Sequence, residues 1–265
     1  MKSMTHRITT YAMVRGSLYV VFLFFLVLSA AQAFAGILIT DDAGTMGKGK
    51  SELDLIGEYG HDKDARITAN ASDFTATLTY GVIEPVDIVL SVPYQFWSLE
   101  DSGSKEKGNG ISDVGVEVKW RFYEKEGVSF ALKPGFTIPT GDEKKGLGTG
   151  RVTAYLYFIA SKEIGPWAIH MNLGYTRSEN NVDQRKAIWH ASVASTFEVV
   201  KRLTLDADIG LETNTGRSSD TPPAYILGGL TYSVSESVDI CLGIKGGLTK
   251  PEKDIAVRGG ITWRF

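Results

Sequence analysis

Histidine, serine and carboxylate are the side chains here that could do chemistry, and their spacing decides whether they can. His170 and His190 sit in segments of alternating polarity, each on the wet side. Ser192 shares that side with His190, but two residues along one strand is too far for a hydrogen-bonded nucleophile and base, and Ser195 has no histidine on its own face. The serine and histidine pair that a lipid-side barrel phospholipase needs is therefore missing, and no catalytic residue is assigned. Asp206 and Asp208 share one face, yet two carboxylates without loop ligands do not make a calcium site. The run Gly146-Leu147-Gly148-Thr149-Gly150 lacks the Gly-Lys-Ser/Thr ending of a phosphate loop and reads as a turn, and Gly47-Lys48-Gly49-Lys50 fails the same test. A single cysteine, Cys241, excludes an intrachain disulfide and any multi-cysteine zinc site. It reads as a packing residue, and no cofactor or metal is expected.

What remains is charge aligned on one face. Glu117, Lys119, Lys133, Glu198, Asp206, Asp208, Glu212, Lys245 and Arg258 all fall on the wet side of their segments and are the candidates to line an interior. Acids gather in residues 187–213 and bases in residues 110–139. A field between two such walls would orient dipolar solutes without trapping ions of one sign. The plainer alternative is that these charges pair with their neighbours and fill the interior.

The elements that carry them are strands. Beyond Lys50 apolar residues recur at every second position. Val114, Val116, Val118, Trp120 and Phe122 oppose Gly115, Glu117, Lys119 and Arg121; Leu203, Leu205, Ala207, Ile209 and Leu211 oppose Thr204, Asp206, Asp208 and Glu212. The pattern predicts twelve strands, at 50–60, 70–81, 85–98, 110–123, 127–139, 150–162, 166–178, 187–200, 203–213, 223–234, 237–248 and 255–265. Only the sixth, from Val152 to Ile159, lacks clear alternation.

Alternation cannot say which face is inside, since a soluble barrel turns its oily side inward. Length decides: these strands exceed the usual five or six residues and suit a tilted membrane crossing. Connections alternate between short turns, such as Ile83-Glu84 and Lys201-Arg202, and long loops, the first two at 61–69 and 99–109. Aromatics cluster near both ends, as interfacial girdles do. Pro93 and Pro134 fall mid-strand, where each removes a ladder donor, so a bulge or kink is expected at each.

Residues 1–35 carry Lys2, Arg7 and Arg15, no acid, an apolar run around Val20–Leu28 and a small-residue Ala33-Phe34-Ala35 site, which reads as a cleavable signal peptide. Its loss takes the net charge from −3 to −6, which argues against a nucleic-acid partner. The expected layout is a signal peptide at 1–35, a periplasmic segment at 36–49 that could tuck into the barrel mouth as a plug, and a transmembrane barrel at 50–265.

Three stretches carry a resemblance: Ile39-Thr40-Asp41-Asp42-Ala43-Gly44-Thr45 through Lys50, Ser112-Asp113-Val114-Gly115 through Lys119, and Ile138-Pro139-Thr140-Gly141-Asp142 with Gly146–Gly150. They resemble the meta-pathway (MetA-pathway) phenol-degradation family of outer-membrane proteins. That resemblance implies a transporter-like barrel handling aromatic or hydrophobic compounds and assigns no binding residue. The terminal Ile261, Trp263 and Phe265 resemble the signal read by the barrel-assembly machinery. The sequence thus predicts an all-β, twelve-stranded, antiparallel up-and-down transmembrane β-barrel in a Gram-negative outer membrane, with both termini periplasmic. Its surroundings would be lipid outside and a small-molecule solute inside; an adhesive or structural barrel is the alternative.

Overall fold

The computed structural model describes residues 36–64, 67–101 and 103–265. The expected signal peptide, 1–35, lies outside the described residues. Alternating polarity after Lys50 becomes a single antiparallel sheet: β1 (Ser51–Asp64), β2 (Ile67–Ile83), β3 (Val86–Asp101), β4 (Ser104–Ile111), β5 (Val114–Lys125), β6 (Val128–Ile138), β7 (Thr153–Ile164), β8 (Trp167–Ser178), β9 (Ala187–Val200), β10 (Leu203–Glu212), β11 (Ala224–Ser233), β12 (Val238–Gly247) and β13 (Ile255–Arg264). Apart from β4 and β5, which both pair with β3, each strand pairs with its sequence neighbours, and β13 returns to β1 from Glu52↔Arg264 to His61↔Ile255, which closes the sheet. Ser51 and Phe265 exchange backbone hydrogen bonds at the seam, 2.8 and 2.9 Å. Closure leaves no edge in the barrel wall itself; among the described strands only β4, paired with β3 alone, keeps an open side.

Thirteen segments make twelve staves. β3 pairs with β5 from Val86↔Trp120 to Ser91↔Gly115, then with β4 from Tyr94↔Ile111 to Asp101↔Ser104. β4 and β5 are two halves of one stave, split at Ser112 and Asp113. The split faces Pro93, whose carbonyl accepts from Ser112 N at 2.9 Å. The proline cannot donate, and the extra residue is accommodated in the partner strand rather than in β3 itself. Opposite Pro134 the β5–β6 ladder loses the pairs at Val118 and Lys119 without changing register; the shift comes later, between Arg121 and Tyr123.

Two loops are shorter than the sequence suggests. β1 and β2 stay paired out to Asp64↔Ile67, and β3 and β4 out to Asp101↔Ser104. The expected loops 61–69 and 99–109 are therefore mostly strand, and the strict short–long alternation fails there. Apolar alternation ends where lipid contact ends, whereas backbone pairing continues into water.

The barrel is inside out relative to a soluble protein. Leu205 is 47% exposed and its neighbour Asp206 5%. Ile209, Leu211, Val118 and Trp120 are likewise exposed, while Glu52, Asp208, Asp239 and Lys245 are buried. Trp120–Phe122, Trp167–Phe197 and Trp263–Phe265 pack at the short-turn end, and Phe74–Phe96 and Tyr175–Trp189 at the loop end. This is the lipid-facing belt with aromatic girdles of a transmembrane barrel.

Candidate functional site

The interior is occupied by the chain's own residues 36–49, held by the charged walls. Asp208 on β10 accepts from Ile39 N (2.7 Å), Thr40 N (2.8 Å) and Thr40 Oγ1 (2.7 Å), and from Tyr225 Oη at 3.1 Å. Across the lumen, Lys119 Nζ on β5 and Lys133 Nζ on β6 reach the Asp41 carboxylate at 2.8 and 3.1 Å. Backbone donors face the acidic wall and a carboxylate faces the basic one, so the segment lies along the field between them. Further along, Ala43 N donates to Ser161 Oγ (2.9 Å) and Met46 N to the Asp87 carboxylate (3.0 Å).

Apolar anchors reinforce these contacts. Ile37 packs on Tyr225 and Leu227 of β11, in a notch where a Cβ on Gly229 or Gly243 would come within 3.1 or 2.9 Å of its side chain. Ala43 packs on Ala131 and Ile159. The segment leaves the lumen through Gly47 and Gly49, at φ of 80° and 79°. Those left-handed positions suit glycine and turn the chain into β1, where Gly49 N donates to Gly81 O at 2.7 Å. The glycine–lysine run is thus a turn.

Burial raises the Asp41 pKa, but the attraction of Lys119 and Lys133 outweighs it and holds the carboxyl well below the usual range. Between the segment and the β1–β3, β5–β6 and β13 walls lies a cavity of about 300 Å³, bordered by Asp41, Asp42, Glu52, Asp87, Lys119 and Lys133 among others.

A family described as "Putative MetA-pathway of phenol degradation" matches residues 40–265. The chain belongs to this family. The match begins inside the lumen segment, at Thr40. Among solved structures, an outer-membrane channel from Pseudomonas putida F1 superposes with a TM-score of 0.66 at 12% identity, covering 84% of this chain and 98% of that one. The NanC porin gives 0.53 at 11% identity over 80% and 98%. The KdgM porin, solved with disordered oligogalacturonate, gives 0.50 at 13% over 81% and 99%. Identities this low show a shared fold. A comparison with curated proteins finds no match.

In this member of the MetA-pathway family the remaining expected residues divide. Lys133 also pairs with Glu117 at 2.8 Å. Lys245 meets Glu58 at 3.0 Å and Glu252 at 3.3 Å, and Arg258 reaches the same Glu58 at 3.5 Å. Asp206 accepts from Thr231 Oγ1 at 2.7 Å. Glu198 is exposed at the short-turn end, and Glu212 is half-buried near the loop end of β10. Asp41, Thr40, Asp87, Tyr225 and Ile37 are site residues that the strand pattern did not reveal.

One expectation is corrected. His190 Nε2 and Ser192 Oγ lie 3.0 Å apart, because the imidazole leans along the strand and spans the two-residue step. Glu212 stands 4.0 Å from His190 Nδ1. Ser192 is 4% exposed, and its backbone lies within the ladders to Asn172 and Gly210. A tetrahedral intermediate would find no pair of free backbone N–H groups there. His170 is bound to Ser161, 2.8 Å away, beneath Ala43.

The family's glycine-rich motif has a structural role. Asp113, at the split between β4 and β5, accepts from Gly141 N (3.1 Å), Thr149 N (2.9 Å) and Thr149 Oγ1 (3.0 Å), folding loop 139–152 onto the wall. A Cβ on Gly141 would lie 2.2 Å from Leu147 O, and one on Gly148 2.3 Å from Asp113 Oδ1. The first approach, to backbone, admits no side chain; the second would displace the Asp113 carboxylate.

Proposed function

We propose that this protein is a passive channel of the outer membrane, with termini and short turns on the periplasmic side, and that residues 36–49 act as a plug narrowing its lumen. The observation that carries this reading is the polar, partly open cavity between that segment and the barrel wall. A structural barrel needs no such space, and a filled one would not leave it. The solute is small and, given the phenol-degradation family, aromatic or hydrophobic. The Pseudomonas putida protein of similar fold is itself an outer-membrane channel. Ile261, Trp263 and Phe265 alternate on the lipid face of the last stave and serve as the segment read by the assembly machinery. We assign the His190–Ser192 pair to wall structure, not catalysis.

The test is single-channel recording and liposome swelling with the refolded barrel and with a form lacking residues 36–49. The shortened form should conduct several-fold more and swell with larger solutes. If neither form opens, the channel reading fails; if both conduct equally, the plug reading fails.

A further inference from the structure

The basic wall holds a ligand that the barrel itself does not supply. Lys119 and Lys133 each take one oxygen of the same carboxylate, Asp41, and that carboxylate belongs to the segment rather than to a strand. The Lys119 side chain is 10% exposed, and Asp41 is its one ion-pair partner among the described residues. With its amide turned to satisfy both groups, Asn172 accepts from Asp41 N and donates to Asp41 O, each at 2.8 Å. Two ammonium groups, Lys119 buried and Lys133 partly so, are thus oriented in advance around a carboxylate that borders the cavity and is itself 29% exposed.

We propose that Lys119 and Lys133 form a carboxylate-binding site for the permeating solute, which Asp41 fills as an internal surrogate until a small organic carboxylate takes its place and frees the segment. This rests on the reading that residues 36–49 plug the lumen. The physical reason is exchange of like for like. If Asp41 withdraws alone, Lys119 stays buried and unpaired, which strongly opposes release. If an incoming carboxylate supplies the same charge and two oxygens, that penalty is cancelled and the segment parts with its tie to the basic wall. A neutral alcohol lacks the charge. A more highly charged anion meets Glu117 and Asp42 beside the lysines. The apolar body of the solute has Val89, on the adjoining β3, and Ile56, on β1, along the cavity wall. The plug would then open in proportion to solute.

Cys241 provides the readout, because its sulfur lies beneath Gly36, 3.5 Å from where a Cβ there would stand, and packs beside Ile37. Reaction of this thiol with a methanethiosulfonate reagent is followed on the mature chain in vesicles at fixed ionic strength. Benzoate should accelerate labelling about tenfold and saturably, whereas benzyl alcohol should not. Asp41→Asn should label fast without benzoate and ignore it, and Lys119→Gln should lose the benzoate response. If benzoate leaves the wild-type rate unchanged while Asp41→Asn is fast, the segment is a plug but the carboxylate site is refuted. If neither benzoate nor Asp41→Asn alters the rate, the plug reading falls, and this inference with it. The benzoate arm uses the unmodified protein and does not depend on a variant folding.

Discussion

Asp208 does the most work of any single side chain. It accepts from two backbone amides, a threonine hydroxyl and a tyrosine hydroxyl, all within 3.1 Å. Hydrogen bonds to a buried charge each contribute about 1.5–3 kcal/mol. Asp208→Asn removes the charge and one acceptor oxygen, so docking of the segment should weaken by about 2 kcal/mol, a roughly thirtyfold rise in the released fraction. Protease cleavage within residues 36–49 measures it; unchanged protection would show that the apolar anchors suffice. Asp41 adds a pH prediction. Its pKa is depressed in the folded state, so its contribution is complete above the unfolded value of about 4 and is lost only as pH falls through the lower folded one. Asp41 should therefore stay charged, and its tie to Lys119 and Lys133 intact, between about pH 8 and pH 5. The Asp208 and Lys119 side chains could be placed on an inner face from alternation alone. Their partners could not, because Thr40 and Asp208 are separated by 168 residues and no local pattern links them.

Two elements show why some strands resist reading. β7 lacks alternation because it has no wet face along part of its length: Leu156 meets lipid while Ile159 packs on Ala43. β11 also carries oily residues on both faces, with Ile226 outward and Tyr225 and Leu227 against Ile37. A stave with two oily faces marks where the lumen is filled by the chain itself, a signal present in the sequence but ambiguous without the plug. The loop after β6 is the other case, since its glycines are explained by Asp113, not by flexibility. Asp113→Ala should free loop 139–152 at a cost of about 2 kcal/mol, read as faster tryptic cleavage at Lys144, Lys145 or Arg151. Gly141→Ala should do the same, because its Cβ would overlap a backbone carbonyl. Equal cleavage in all three proteins would mean that the loop is held elsewhere.

Over the whole molecule, the decisive property is the inverted distribution of polarity. Wall charges pair inward, as Arg264 does with Glu52 (2.9 Å) and Asp239 (2.6 Å), and the outer surface is left to lipid. Ile209, exposed near the middle of β10, should therefore tolerate no charge. Ile209→Arg is expected to destabilise the vesicle-embedded barrel by about 2–4 kcal/mol in reversible unfolding. A loss below about 0.5 kcal/mol would mean that this face is not in hydrocarbon.

The sequence by itself determined the staves, their faces and the girdles, because a strand's two-residue period and the cost of charge in lipid are local facts written along the chain. Only the tertiary structure decided what the lumen contains. Whether Asp41 meets Lys119 and Ile37 meets Leu227 depends on closure of the barrel around a segment that precedes it, and such long-range pairing leaves no periodic trace. The split stave at Asp113 and the His190–Ser192 contact were hidden for the same reason: each is set by how neighbouring staves and side chains pack, not by the spacing of residue types.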